Sequence, residues 1–213
     1  YLFLHKIFLT QIKLLEKTFC YTHTDRDLPG FPLFGLFSMA MGVTSVIPPM
    51  NPSKPAKASG KALVKTIEDE KITTACGSPA IWENVANYCL QEKKQLPTLC
   101  KLIMFGAPVS PQLIESFNSI LTTGSTYTPY GATEFLPVSH ISGKKILRDT
   151  IKDSVQGKGT CVGQAFEETH IKIIKPLDKK YPHHMSGIKE LEPYQIGEII
   201  VKGSQGTPCY YKK

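Results

Sequence analysis

The chain has 213 residues, with 41% hydrophobic and 20% charged content, 16 glycines and 16 prolines. That is apolar material for one large domain, and the turn-rich balance suits a soluble α/β protein. The formal net charge of +7 invites a nucleic-acid partner, but lysines alternate with carboxylates, as in Lys65-Thr66-Ile67-Glu68-Asp69-Glu70-Lys71. No basic cluster is interleaved with aromatics, so nucleic acid is not an expected partner, and the mild basic excess favours a small anion instead.

Residues 1–15 are apolar but interrupted by His5, Lys6, Gln11 and Lys13. That excludes an integral membrane segment, and the basic start and cleavage site of a signal peptide are missing. Leu4, Ile7, Phe8, Leu14 and Leu15 fall near helical spacing, which predicts a half-buried helix. The six cysteines contain no C-x-x-C pair, the usage of reduced thiols in a cytoplasmic protein.

Residues 25–30 read as a loop, and residues 31–42 as a turn followed by an apolar helix that ends at Gly42. The β-branched residues 43–48 predict a short buried strand, and the Pro- and Lys-rich residues 49–59 a surface loop. Helices are then expected over 61–69, 80–92 (opened by Pro79) and 111–121, with strands over 72–77, 102–105 and 125–128. Strands alternating with helices imply βαβ units and a mainly parallel sheet, whose ligands gather at the carboxyl ends of the strands. Gly77-Ser78-Pro79, Gly106-Ala107-Pro108 and the loop at residues 130–134 are all expected on that rim.

Past residue 142 the texture changes. Residues 143–158 are polar, 161–163 and 170–174 read as β, 177–193 form a charged excursion, and 197–203 give a further strand. The expected organisation is an α/β subdomain over residues 1–142 and an incomplete β-rich subdomain over 143–213.

Tyr130-Gly131-Ala132-Thr133-Glu134 offers a flat ring, a backbone open to close approach, a hydroxyl for a phosphate oxygen and a hard carboxylate for Mg²⁺. Taken alone, the pentapeptide reads more readily as an ordinary strand-to-loop turn with a surface glutamate. Other patterns fail on their spacing. Gly157-Lys158 and Gly60-Lys61 lack the upstream glycine of a phosphate loop. Ser78 is not set in a nucleophile elbow, and His183-His184 has no third ligand at metal spacing. Trp82, on a helix with Ala86 and Cys89, reads as core.

The ordered set of motifs resembles the adenylate-forming superfamily of AMP-forming acyl-CoA synthetases and fatty acyl-AMP ligases. Residues 130–134 match its Tyr-Gly-x-Thr-Glu motif, and Gly106-Ala107-Pro108 matches the loop before it. Gly197-Glu198-Ile199-Ile200-Val201-Lys202-Gly203 with Tyr210-Tyr211 matches its late signature. Gly159-x-x-Val162-Gly163 is similar to a further glycine-rich segment. Residues 28–34 and 77–80 look most like the branch that holds the olefin β-lactone synthetases.

The resemblance implies an α/β fold: a mainly parallel sheet with flanking helices, then a small antiparallel β unit, within the N-terminal domain of an adenylate-forming enzyme. It implies that Tyr130 lies against adenine, with Gly106, Ala107 and Pro108 completing the slot alongside Gly131 and Ala132. Thr133 would bind the α-phosphate and Glu134 would hold Mg²⁺, while Phe34, Gly77 and Ser78 would wall the acyl site. The implied cofactors are ATP or AMP and Mg²⁺, and CoA is one acceptor used in the family. The implied reaction joins a fatty or β-hydroxy fatty acid to AMP with release of pyrophosphate. A phosphate loop is expected upstream of this chain. A ribose-binding aspartate and a catalytic lysine are expected downstream, so the chain is expected to be an internal fragment. Phe166-Glu167 stands where relatives carry Pro-Gly, and Cys209 where they carry glycine. The alternative expectation is therefore an inactive remnant with at most weak nucleotide binding.

Overall fold

The computed structural model describes residues 2–176 and 188–211. The His183-His184 pair and much of the charged excursion lie outside the described residues. The strands are β1 (Arg26–Pro29), β2 (Thr44–Ser45), β3 (Thr74–Gly77), β4 (Lys101–Met104), β5 (Ser125–Ala132), β6 (Phe135–Ser142), β7 (Gln164–Ala165), β8 (His170–Ile174) and β9 (Glu198–Lys202). The main helices are α1 (His5–Phe19), α2 (Pro32–Ala40), α3 (Gly60–Asp69), α4 (Pro79–Gln91) and α5 (Pro111–Ile120).

Among the described residues, seven strands form one sheet in the order β2-β1-β3-β4-β5-β6-β7. The pairs from β2 to β5 are parallel, and β5–β6 and β6–β7 are antiparallel. A second sheet pairs β8 with β9, antiparallel. The mainly parallel α/β architecture and the small antiparallel unit are as the sequence led one to expect.

Alternation along the central strands creates two cores. Leu28, Ala75, Leu102 and Met104 face α3, α4 and α5, packing with Leu63, Ile67, Trp82, Val85, Ile114 and Phe117. Their neighbours Cys76 and Ile103 face the other way, onto Leu14, Leu15 and Phe19 of α1 and Phe37 of α2. The period of two in a strand dictates this split, and helices on both faces bury it. Trp82 is fully buried, as expected of a core residue. Local chemistry sets the helix starts: Ser59 accepts from the Ala62 N–H at 3.3 Å to cap α3, and Ser110 accepts from Leu113 at 3.2 Å to cap α5.

Several expectations need correction. Residues 25–30 are not a plain loop, because β1 is an inner strand between β2 and β3. Its charge is accommodated: Asp27 accepts hydrogen bonds from the Ser38 hydroxyl at 2.6 Å and the Thr74 hydroxyl at 2.9 Å. β2 is a two-residue edge strand with Thr44 exposed, rather than a buried one. Residues 143–155, expected without helix, are helical: α6 (Gly143–Lys145) runs through a π-type turn (Ile146–Thr150) into α7 (Ile151–Val155). Residues 161–163 are not strand, and pairing begins at Gln164, opposite His140.

Candidate functional site

β4 and β5 run parallel, so the loops that follow them meet at one edge of the sheet. After β4, residues 105–110 cross the edge before α5 begins at Pro111. Gly106 has φ +89°, a left-handed conformation that side chains disfavour. A Cβ there would meet only the tip of the Phe31 ring, at 3.5 Å, so conformation rather than space demands the glycine.

β5 continues past Thr128, where the strand was expected to end, and reaches Ala132. Thr133 and Glu134 then turn the chain directly into β6, with Ala132 opposite Phe135 and a register shift between Tyr130 and Ala132. Gly131 is needed for the returning strand: a Cβ would lie 2.7 Å from Leu136 Cδ1 and 3.1 Å from the Phe135 carbonyl.

Between these two walls lies a cavity of about 760 Å³, within the usual range for small-molecule sites. Gly106, Ala107 and Pro108 form one side, and Tyr130, Gly131, Ala132 and Thr133 the other. The structure therefore brings seven of the expected site residues onto one cavity. Tyr130 is partly exposed there, with its ring not consumed by the core.

Glu134 sits beside this cavity, on the turn. Its Oε1 accepts a hydrogen bond from the Tyr210 hydroxyl at 2.8 Å, and its carbonyl accepts from the Thr207 N–H at 2.8 Å. The segment after β9 is thus docked on the hairpin. Gln205, fully buried, fastens it by donating from Nε2 to the Pro137 carbonyl at 2.9 Å and to Thr169 Oγ1 at 2.7 Å. The sequence marks Tyr210 as part of a signature but does not reveal its bond to Glu134. No group of three or more His, Cys, Asp or Glu that could hold a metal occurs among the described residues. A single carboxylate fits Mg²⁺ none the less, because that ion keeps several waters and takes phosphate oxygens for the rest.

Gly77, Ser78 and Phe34 lie elsewhere. A Cβ on Gly77 would meet Ile81 Cδ1 and Trp82 Nε1, both at 3.1 Å, so that strand end is already filled. The Ser78 hydroxyl and Trp82 Nε1 are both buried without a hydrogen-bond partner. Phe34 stacks near Phe105, with centroids 4.4 Å apart, and lines a second, small cavity between α1, α2 and the sheet. That cavity holds about 20 Å³, room for one water. Leu15, Phe37 and Met41 form its apolar walls, with Asp27 among its lining residues. Burial pushes the Asp27 carboxyl up to about 6, against the hydrogen bonds from Ser38 and Thr74. Four residues line both cavities: Gln11, Phe105, Pro129 and Leu136. The sequence reading missed Gln11, which figured there only as an interruption of an apolar run.

The comparisons with known proteins identify the family and the fold. A family model described as "AMP-binding enzyme" matches residues 30–211, and the chain belongs to that family. Among curated proteins, it is 36% identical over 211 residues to the olefin beta-lactone synthetase of Xanthomonas campestris pv. campestris. It is equally similar, 36% over 210 residues, to the enzyme of that name from Stenotrophomonas maltophilia. Each alignment covers 98% of this chain but 37% of the relative, so the chain spans little more than a third of their length.

Among solved structures, the long-chain-fatty-acid-CoA ligase of Archaeoglobus fulgidus superposes with a TM-score of 0.74 at 20% identity. That match covers 98% of this chain and 40% of the other. The O-succinylbenzoate coenzyme A synthetase of Bacillus subtilis, in complex with ATP and magnesium ion, gives 0.72 at 19% identity, covering 98% and 39%. At these identities the structures speak for the fold alone. No helix among the described residues is long and apolar enough to cross a membrane.

Proposed function

We propose that this chain carries the nucleotide and acid sites of a cytoplasmic ligase that activates a fatty or β-hydroxy fatty acid as its acyl-adenylate. The observation that carries the proposal is the cavity between Gly106-Ala107-Pro108 and Tyr130–Thr133, in a chain of the AMP-binding family. Tyr130 offers a ring face to adenine, and the backbone of residues 106–108 closes the slot. The Thr133 hydroxyl donates to an α-phosphate oxygen. Glu134 supplies one ligand to Mg²⁺, which when bound neutralises phosphate charge as it builds. The Tyr210 hydroxyl holds that carboxylate in place.

In the reaction, a carboxylate oxygen of the acid attacks the α-phosphorus of ATP. The new O–P bond forms as the bond to the β-phosphate oxygen breaks, and pyrophosphate leaves. The substrate carboxylate is already a nucleophile, so the site has to position it and balance charge. The acyl-adenylate is then open to attack by CoA or by a hydroxyl of the acyl chain itself. Phe34 and the apolar face of α2 offer apolar surface next to this cavity that suits an acyl chain. The six free thiols agree with a cytoplasmic setting.

Calorimetric titration with Mg·ATP and with AMP tests this reading. Wild type should bind both, and Glu134→Gln, which can still accept from Tyr210, should weaken Mg·ATP about tenfold. It should leave AMP without Mg²⁺ nearly unchanged. Absence of nucleotide binding in folded wild type would overturn the proposal.

A further inference from the structure

Of the six cysteines, all within the described residues, only Cys161 lines the large cavity, and it is exposed. The acyl-activating chemistry makes no use of it. Cys76 and Cys89 are buried, which pushes their thiols up and keeps them inert. Cys100 immediately precedes β4, and the Cys20 carbonyl accepts from Lys101 Nζ at 2.9 Å. Both therefore lie at the amino end of the sheet, away from the cavity.

The loop that carries Cys161 is fastened to the strand behind Tyr130. Ser139, fully buried, is the register partner of Tyr130 across the β5–β6 pair. Its hydroxyl donates to the Val162 carbonyl at 2.7 Å, one residue from Cys161. Gly163 sits so close to the His140 carbonyl that a Cβ there would collide with it. Cys161 is thus tied to Tyr130 through one strand pair and one hydrogen bond, and both residues line the same space. That space also meets Gln11, 3% exposed, whose Oε1 has no hydrogen-bond partner. An unpaired buried acceptor beside a free tyrosine ring marks a cavity that a ligand completes.

We infer that Cys161 is a modification site: a low-molecular-weight disulfide such as oxidised glutathione caps its thiol, and the cap and the nucleotide exclude each other. The inference rests on the proposed nucleotide site and adds a redox control to it. The Cys161 thiolate attacks one sulfur of the disulfide. A new S–S bond forms as the old one breaks, and the other half leaves as a thiolate that takes up the proton Cys161 released. The cap, a tripeptide, then stands in the space between Tyr130 and residues 106–108. A reducing thiol pool reverses the exchange.

Two measurements test this. In the first, wild type is labelled with N-ethylmaleimide and the rate at each cysteine is followed by peptide mass spectrometry. AMP at about ten times its Kd should slow Cys161 about tenfold and leave Cys20 and Cys100 unchanged. In the second, wild type treated with oxidised glutathione should carry the cap at Cys161 and lose AMP binding by calorimetry, and dithiothreitol should restore it. Cys161→Ser should show the same AMP affinity before and after treatment, whatever its value. AMP binding without protection of Cys161 overturns the inference, as does a thiol that takes no cap or a capped protein that still binds AMP. A treated Cys161→Ser that loses AMP binding also overturns it, because another thiol is then responsible. Absence of AMP binding in folded, reduced wild type would instead remove the nucleotide site, and this inference with it.

Discussion

Two carboxyl edges of the same parallel sheet end in glycine-bearing loops, yet only one of them is open. At β3, a single residue, Ser78, separates the strand from α4. The first turn of that helix drops Ile81 and Trp82 onto Gly77, and Gly30 at the end of β1 lies against the same group. At β4, six residues intervene before α5, and β5 is followed by no helix, because it turns straight back into β6. Strand polarity locates a rim where ligands can bind. The length of chain before the next helix decides whether that rim is a site or a packed corner.

That contrast can be broken from either side, and the largest effect is expected at the closed edge. Trp82→Ala should cost about 3–5 kcal/mol of stability, measured by denaturant unfolding. A loss under about 1 kcal/mol would show that the corner is not packed as core.

Asp27, which lines the small cavity against α1 and α2, adds a test through pH. Its carboxyl is raised from 3.8 to about 6 by burial, so the native state holds this proton more tightly than the unfolded chain. The associated stability is complete below about pH 4 and is lost as pH rises through about 6, on the order of 2–3 kcal/mol. Asp27→Asn should remove that fall, seen as a flatter thermal midpoint across the window. Asp25 works in the opposite sense: burial pulls it upward, but hydrogen bonds from Thr73 and Lys101 outweigh this and hold it low. Its contribution survives in the variant and is lost only at more acid pH.

The open side should give the smallest change in stability and a selective change in binding. Tyr130→Ala should shift unfolding by no more than about 0.5 kcal/mol. It should also weaken AMP by about 1–3 kcal/mol through lost stacking. Equal losses in both measurements would mean that the ring serves the fold rather than the ligand.

Much of this was legible beforehand. β3 and β4 announce themselves as short apolar runs, and Pro79 and Pro111 mark the helix starts that follow. β1 was not legible, because two aspartates and an arginine beside Pro29-Gly30 resemble a loop. The hydroxyls of Ser38 and Thr74, distant in sequence, help make Asp27 tolerable in a sheet. The helical residues 143–155 bury little beyond Gly143 and Ile146, so they carry no periodic signal. At the site, the pentapeptide was visible but its geometry was not: the strand was expected to end at Thr128, yet β5 passes through Pro129 and Gly131 because β6 pairs with it. Phe166, read in the sequence as a departure from the family pattern, is a core residue against Phe19 and His140. The same position that argues for drift in the sequence has a packing role in the fold.

The buried amide of Gln205 has a consequence for cooperativity. One side chain spans the Pro137 carbonyl of β6 and the Thr169 hydroxyl just before β8. The small sheet and the hairpin that presents Tyr130 cannot separate locally without giving up the Gln205–Pro137 bond in a dry setting. Backbone amides of β6 and β8 should therefore exchange with solvent deuterium in one concerted step. The binding edge then inherits the slow opening of a unit that does not itself touch ligand.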